Sequence, residues 1–463
     1  MHLPYNAMKY LPVFILLCVL IFFAILQSDL SGLYKFIIIF IEMAAVSQIL
    51  INKYGFKGEM GLVLLKSKKG LGIIESLSKY EKFWKTFADL GMVLSYGALS
   101  WFFMKRKLDW KIILFGFILL AALAFVIAPL ALTYISTVIK GGSITPTSNA
   151  APGLSAVAIV YILLLFAGGM FAVMLASILL YGVSILQALI STLIYGTGAI
   201  YSTKPGATLL LPGINLPLLE GILALFVILV VHEACHAILA RIAKIKVLSS
   251  GIVLFGIIPI GAFVEPDEQE LKKTEDIKQS RVIVAGSTAN LISCILFFIL
   301  FLGFFSVTGN YREQGLWVIS GLGDKDTVIY QIDQTKIDID KIDIKNLNLN
   351  LPKSSDVTLY TNKGTIVKKT DENGKLGVNL ILLTKDSLFG LYNNIFLQAI
   401  YTFLGLCFAL NFVIGSVNIL PVPLFDGYRI IDINIKHKAI VTGLMYITIA
   451  AFLTNILPIL FVR

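Results

Sequence analysis

The chain has 463 residues, 57% hydrophobic and only 14% charged, with a mean hydropathy of +0.86. Soluble domains carry about 25% charged residues, so a soluble globular protein is excluded, and the apolar residues fall in runs of roughly 20, enough to span about 30 Å of hydrocarbon. The net charge of +10 does not indicate nucleic acid, because the lysines are scattered among short loops without interleaved aromatics; four cysteines make no disulfide framework.

The first apolar run, 11–27, lacks a small-x-small cleavage site and is followed at once by another. It reads as a retained spanning helix rather than a signal peptide. Further candidate spans are 33–51, 89–104, 112–138, 154–176, 178–200, 219–243, 281–306, 394–418 and 438–461, giving nine or ten crossings. The block 154–200 would be about 70 Å long as one helix, too long for one crossing, and is expected to turn near Gly168-Gly169. The fold class is mostly α: a polytopic transmembrane bundle with a small β-rich insert.

Two segments do not span. Residues 53–88 read as a hairpin, Gly61–Leu65 and Gly70–Ile74, followed by an amphipathic stretch through Trp84. Residues 311–387 alternate as strands do at Val357–Tyr360 and Thr365–Lys369, with turns at Asn362-Lys363-Gly364 and Asn373-Gly374. The expected organisation is an accessory membrane region 1–210, a core in two parts (211–310 and 388–463), and the β-rich insert 311–387 between them. Lysine and arginine in short loops place 241–281 and 429–438 on the cytoplasmic face and the insert outside. The lysines of 53–88 then fall on the wrong side, which leaves the first 150 residues unoriented.

Chemistry concentrates in 219–243, which contains Val231-His232-Glu233-Ala234-Cys235-His236. His232 and His236 stand one helical turn apart, so two imidazoles can grip one Zn²⁺, and Glu233 is placed to take and return a proton. Zinc lowers the pKa of a bound water toward neutrality and so makes a nucleophile. H-E-x-x-H also arises by chance in soluble helices. In an otherwise charge-free apolar helix, however, burying Glu and two His costs several kcal/mol and marks a site. The helical rise puts His232 about 20 Å from Leu219 and about 13 Å from Arg241, inside the membrane and nearer the cytoplasmic face. Cys235 points elsewhere and reads as packing.

A catalytic zinc needs a third protein ligand and an open position. Asp426 follows Asn418-Ile419-Leu420-Pro421-Val422-Pro423-Leu424-Phe425, a stretch whose two prolines forbid regular helix. It can reach a metal, although Asp-Gly also simply makes turns. Glu265, Asp267 and Cys235 are the fallback ligands. Glu42 reads as facing a helix neighbour and Asp89 as interfacial.

These motifs resemble the site-2 protease family of intramembrane metalloproteases. H-E-x-x-H is paired with N-x-x-P-x-P-x-x-D-G at 418–427, with Phe425 for the usual leucine. Ala285-Gly286-Ser287-Thr288-Ala289-Asn290 looks like the family's G-P-x-x-N element, with Ser287 where proline is usual. Gly261–Asp267 looks like the hairpin tip after the metal helix in archaeal-type members. The resemblance covers about 215–435. It implies zinc held by His232, His236 and Asp426, Glu233 as general base, and Asn290 holding substrate or stabilising the oxyanion. Asn418 would support the same site, and the insert would be PDZ-like. It further implies transmembrane protein or peptide substrates, already trimmed outside the bilayer, and a multi-pass cell-membrane location.

A helical substrate must unwind before its carbonyls can be attacked. The apolar run Ile252–Val264 is expected either to pair with it by β-addition or to be a buried connecting hairpin. Two other classes fit the composition. A metal-ion transporter would usually show internal repeats, which are not found, and gives Glu233 no role. An inactive metal-binding scaffold is not favoured, because every catalytic position is filled. Substrate identity and oligomeric state are not legible.

Overall fold

The computed structural model describes residues 9–138, 156–322, 327–337 and 351–461, apart from 29, 31, 60, 67, 209, 214, 385, 386 and 389. Two compact units are present: one runs to Phe297 and resumes at Leu406, and the other is Phe298–Gly405.

The first unit opens with α1 (Leu11–Gln27) and α2 (Gly32–Asn52), then a short hairpin, β1 (Lys57–Glu59) and β2 (Leu62–Lys66). The second strand expected at Gly70–Ile74 is instead helix α3 (Lys68–Ser78), which buries Ile74. The strand partner of β2 is β3 (Val247–Phe255), pairing Leu65 with Ile252, and β3 pairs with β4 (Ile258–Pro266) in the order β1-β2-β3-β4. The Ile252–Val264 run is therefore a hairpin. Its turn lies at Gly256, whose N–H donates to Ser47 Oγ at 2.7 Å, and not at Gly261–Asp267, most of which lies in β4. Leu65 and Ile252 are 187 residues apart, and a partner so distant cannot be read from local alternation.

Next come α4 (Glu81–Tyr96) and α5 (Leu99–Phe103), so the span expected at 89–104 is broken at Gly97. Helix α6 covers Trp110–Val138 and contains a π-helical turn at Leu123–Ile127, just before Pro129. Proline lacks an N–H and clashes with the carbonyl four residues back, and the wider turn absorbs this. Helix α7 (Ala156–Tyr195) is interrupted at Gly169 (φ 61°, ψ −154°), where the turn near Gly168-Gly169 was expected. Phe166 O, one turn earlier, accepts Ala98 N–H at 2.9 Å, so the break leaves that carbonyl satisfied at membrane depth.

The remaining helices are α8 (Leu218–Ile242), α9 (Glu268–Lys273), α10 (Asp276–Val307), α11 (Ile395–Val417), α12 (Asp426–Asn434) and α13 (Lys438–Ile456). Among the described residues six helices are long and apolar enough to cross a membrane: α6, α7, α8, α10, α11 and the stretch Lys438–Leu460 beginning with α13; α1 and residues 37–52 of α2 are apolar but shorter. Of the ten spans expected, α1 and α2 fall short of that length, 89–104 is broken at Gly97, and 154–200 is counted once although two helices meet at Gly169.

Ion pairs gather the basic loops at one end of this unit. Lys66 meets Glu265 at 3.2 Å, Arg241 Nε meets Glu75 at 2.9 Å, Lys105 and Lys436 meet Asp276 at 3.0 and 3.5 Å, and Arg429 meets Glu268 at 2.9 Å. The lysines of 53–88 thus share an end with those of the other loops. Asp89, read as interfacial, is buried. It accepts a forked pair of bonds from Arg281 at 2.6 and 2.8 Å, joining α4 to α10.

In the second unit the insert forms an antiparallel sheet, β10-β5-β6-β8-β9, with β7 on β6. Its strands are β5 (Gly315–Ser320), β6 (Thr327–Ile332), β7 (Thr335–Lys336), β8 (Asp356–Thr361), β9 (Gly364–Lys369) and β10 (Asn379–Leu383). Val357 and Leu359 alternate inward with period two and join Leu316, Val318, Ile329, Ile332 and Leu376 in one core.

Candidate metal centre

Helix α8 is apolar apart from its ends and the His232–His236 turn. One turn apart, the two imidazoles lean together until their Nε2 atoms are 3.1 Å apart. Asp426 arrives from the far end of the chain and sets Oδ2 at 3.3 Å from His232 Nε2 and 3.2 Å from His236 Nε2. Among the described residues this is the one cluster of three metal-capable side chains.

The segment ahead of Asp426 explains its position. Pro421 and Pro423 cannot donate, so the chain leaves α11 in turns: Val422 N–H donates to Leu420 O and Phe425 N–H to Val422 O, both at 2.8 Å. Gly427 N–H then donates back to Asn418 O at 2.8 Å, closing the loop. A Cβ at Gly427 would lie 1.8 Å from Ile419 O, so the loop closes only on glycine. Tyr96, fully buried on α4, donates its hydroxyl to Ile419 O at 3.4 Å.

Three observations test whether these side chains suit zinc. Three ligands of a tetrahedral site with bonds of about 2.0 Å stand about 3.3 Å apart, and the observed separations are 3.1–3.3 Å. Two imidazoles and a carboxylate are a donor set of catalytic zinc sites. Gly286 on α10 faces both rings: a Cβ there would sit 2.3 Å from His236 Nε2 and 2.4 Å from His232 Nε2. Glycine keeps that space open, and the residues fit the ion.

Each imidazole is held from behind. His236 Nδ1 donates to Val282 O at 2.7 Å, which leaves Nε2 free to ligate. His232 Nδ1 lies 3.1 Å from the Asn290 amide. Ligation through Nε2 puts the proton on Nδ1, with the Asn290 amide turned so that its oxygen accepts it. Asn290 is fully buried beside His232. Asn418 is the amide beside the ligands, 3.3 Å from His232 Nε2 and 3.5 Å from Asp426 Oδ2. Glu233 is half-buried, one residue beyond His232.

The fallback ligands are engaged elsewhere. Cys235 is a buried free thiol outside the cluster. Glu265 bonds Ser249 and Lys66, and Asp267 caps α9 through Gln269 and Glu270 N–H. Residues 285–290 lie well inside α10, which begins at Asp276, and not at a helix start. Ser287 preserves there an N–H that proline would remove. Sequence reasoning quoted Gly286 without seeing its function. Asp89, Arg281, Tyr96 and Val282 O gave no signal, because their partners are distant in sequence or are backbone atoms.

The model of the family described as peptidase family M50 matches residues 220–441, which include every residue of the cluster. The chain is also similar to an uncharacterized protein of Methanocaldococcus jannaschii, 31% identical over 245 residues. That match takes in 51% of this chain and 62% of the relative's length. With six helices able to span a bilayer, the chain is a multi-pass membrane protein. The segment matched by the family model, 220–441, is just under half of the chain, which is similar there to peptidase family M50, the site-2 protease family.

Proposed function

We propose that this protein is an intramembrane zinc metalloprotease that hydrolyses peptide bonds in or near transmembrane segments of membrane-anchored proteins. The observation that carries the reading is the convergence of Asp426, at the start of α12, on His232 and His236 of the apolar α8 to 3.1–3.3 Å, with Gly286 leaving space beside them. Zinc, when bound, would polarise the scissile carbonyl and bring a water toward neutral pKa. Glu233 takes a proton from the attacking water and returns it to the leaving nitrogen. Val282 O and Asn290 hold the two rings in their ligating orientation, and Asn418 offers an amide N–H beside the reacting carbonyl.

The unwound substrate pairs with β4. Its partner on one side is β3, and among the described residues no strand occupies its other edge. Gly261 on β4 lies close over α8: its Cβ position is 3.3 Å from Leu229, one turn before His232. Backbone pairing along this edge demands little sequence and presents carbonyls to the metal helix. The basic end of the unit is assigned to the cytoplasmic face by its lysines and arginines. The insert is read as PDZ-like and extracytoplasmic, screening substrates by size or by peptide binding. Deleting 311–387 without effect on rate or substrate choice would reject that role.

The deciding experiment is Glu233→Gln in the full chain, with zinc per chain and cleavage of a membrane-anchored substrate both measured. Zinc retained with cleavage lost supports the protease. Cleavage unaffected rejects it.

A further inference from the structure

The elbow between α3 and α4 is not used by the metal site. Trp84 Nε1 and Tyr80 N–H both donate to Leu77 O, at 2.9 and 3.2 Å, and so brace the end of α3. Phe83, Trp84 and Phe87 pack edge to face around the bend, with centroids 5.1 and 5.4 Å apart. On one side of the elbow, Glu75 reaches Arg241 at the end of the metal helix and Ile74 is buried. On the other, Ile73 and Leu77, one turn apart on α3, Tyr80 in the bend and Phe83 on α4 are 64%, 38%, 67% and 62% exposed and form an apolar stripe along the elbow. Beside this stripe opens a groove of about 590 Å³, lined by Lys79, Lys82 and Lys85 together with Tyr80 and Phe83. Its two carboxylates are already paired, Glu81 with Lys85 and Asp89 with Arg281. Among the described residues neither Lys79 nor Lys82 has an ion-pair partner.

A ligand matching this surface carries a negative group for the two ammonium ions and apolar chains for the adjoining stripe. Aromatic side chains at such a boundary favour the headgroup level of a bilayer, and lysine there draws anionic lipid. A soluble phosphate would leave the stripe bare. We infer that the α3–α4 groove binds the phosphodiester headgroup of an anionic phospholipid, with α3 lying in the plane of the membrane surface and the elbow's apolar stripe among the acyl chains.

The test uses the full chain in phosphatidylcholine nanodiscs containing trace dansyl-phosphatidylglycerol, read by energy transfer from tryptophan. The wild type should prefer phosphatidylglycerol to dansyl-phosphatidylcholine. Lys79→Gln/Lys82→Gln should lower that preference about 30-fold, five- to sixfold for each lysine. Lys79→Arg/Lys82→Arg should keep it, and the thermal midpoint should not change in either variant, since both side chains are exposed. An unchanged preference in the glutamine variant would overturn the assignment. So would displacement of the dansyl lipid by millimolar glycerol phosphate, which would identify a soluble phosphate site instead.

Discussion

Gly286→Ala is the sharpest perturbation the metal centre offers, because it adds one methyl group and removes none. The new Cβ would lie 2.3 Å from His236 Nε2, 2.4 Å from His232 Nε2 and 2.5 Å from His232 Cε1. Van der Waals contact needs about 3.4 Å, so the overlap is roughly 1 Å on both rings at once. The methyl stands against His236 Nε2 and beside the Nε2–Cε1 edge of His232, so it crowds the two ligand atoms themselves. Relief requires α10 to retreat or both imidazoles to turn, and a displacement of about 1 Å at such a centre costs on the order of a hundredfold. Alanine is favoured over glycine in a helix by about 1 kcal/mol, which offsets part of the roughly 1–3 kcal/mol that such overpacking costs. The assay is zinc per chain after dialysis against buffered free zinc, alongside thermal unfolding. Gly303→Ala on the same helix, where nothing lies within 4 Å of the added atom, serves as control. For Gly286→Ala, zinc affinity should fall by at least the roughly 10- to 100-fold that loss of an outer partner of a ligand costs, and for Gly303→Ala not at all. Wild-type stoichiometry and affinity in Gly286→Ala would refute the placement of the ion.

Asp426→Ala should abolish stoichiometric zinc, because it removes one of three ligands; zinc retained at wild-type affinity would send the search for the third ligand elsewhere. Asn290→Leu should weaken zinc binding by about 10- to 100-fold, and Asn290→Asp, which still accepts from His232 Nδ1, should recover most of it; equal losses in both would reduce Asn290 to packing. Asp89→Leu leaves the half-buried Arg281 guanidinium without its partner and should cost about 1–3 kcal/mol by thermal or denaturant unfolding. The double variant with Arg281→Leu should regain most of that stability. A proline at Gly261 or Phe263 of β4 should cut substrate cleavage while zinc content stays at one per chain, and intact cleavage would remove β4 from substrate binding.

Much of this protein was settled by the chain alone. Long apolar runs require spanning helices whatever their neighbours, because hydrocarbon leaves backbone polar groups no other partner. His232, Glu233 and His236 are one helical turn apart, so their geometry is local. Asp426 was legible through its two prolines, which rule out helix and send the chain back toward the core. The alternation of Val357 and Leu359 is local as well, and the strand followed. What the tertiary structure decided involves partners that local periodicity cannot name. The β2–β3 pairing joins segments that both read as simple hairpins. Asp89 and Arg281 each look interfacial until the other neutralises it, and Gly286 matters only because two rings from another helix converge on it. Asn290 carries an amide suited to a substrate or to an imidazole, and only helix packing sets it 3.1 Å from His232. Sequence periodicity determines which face of a segment is apolar, but the identity of the group that meets a polar side chain is fixed by how the helices pack.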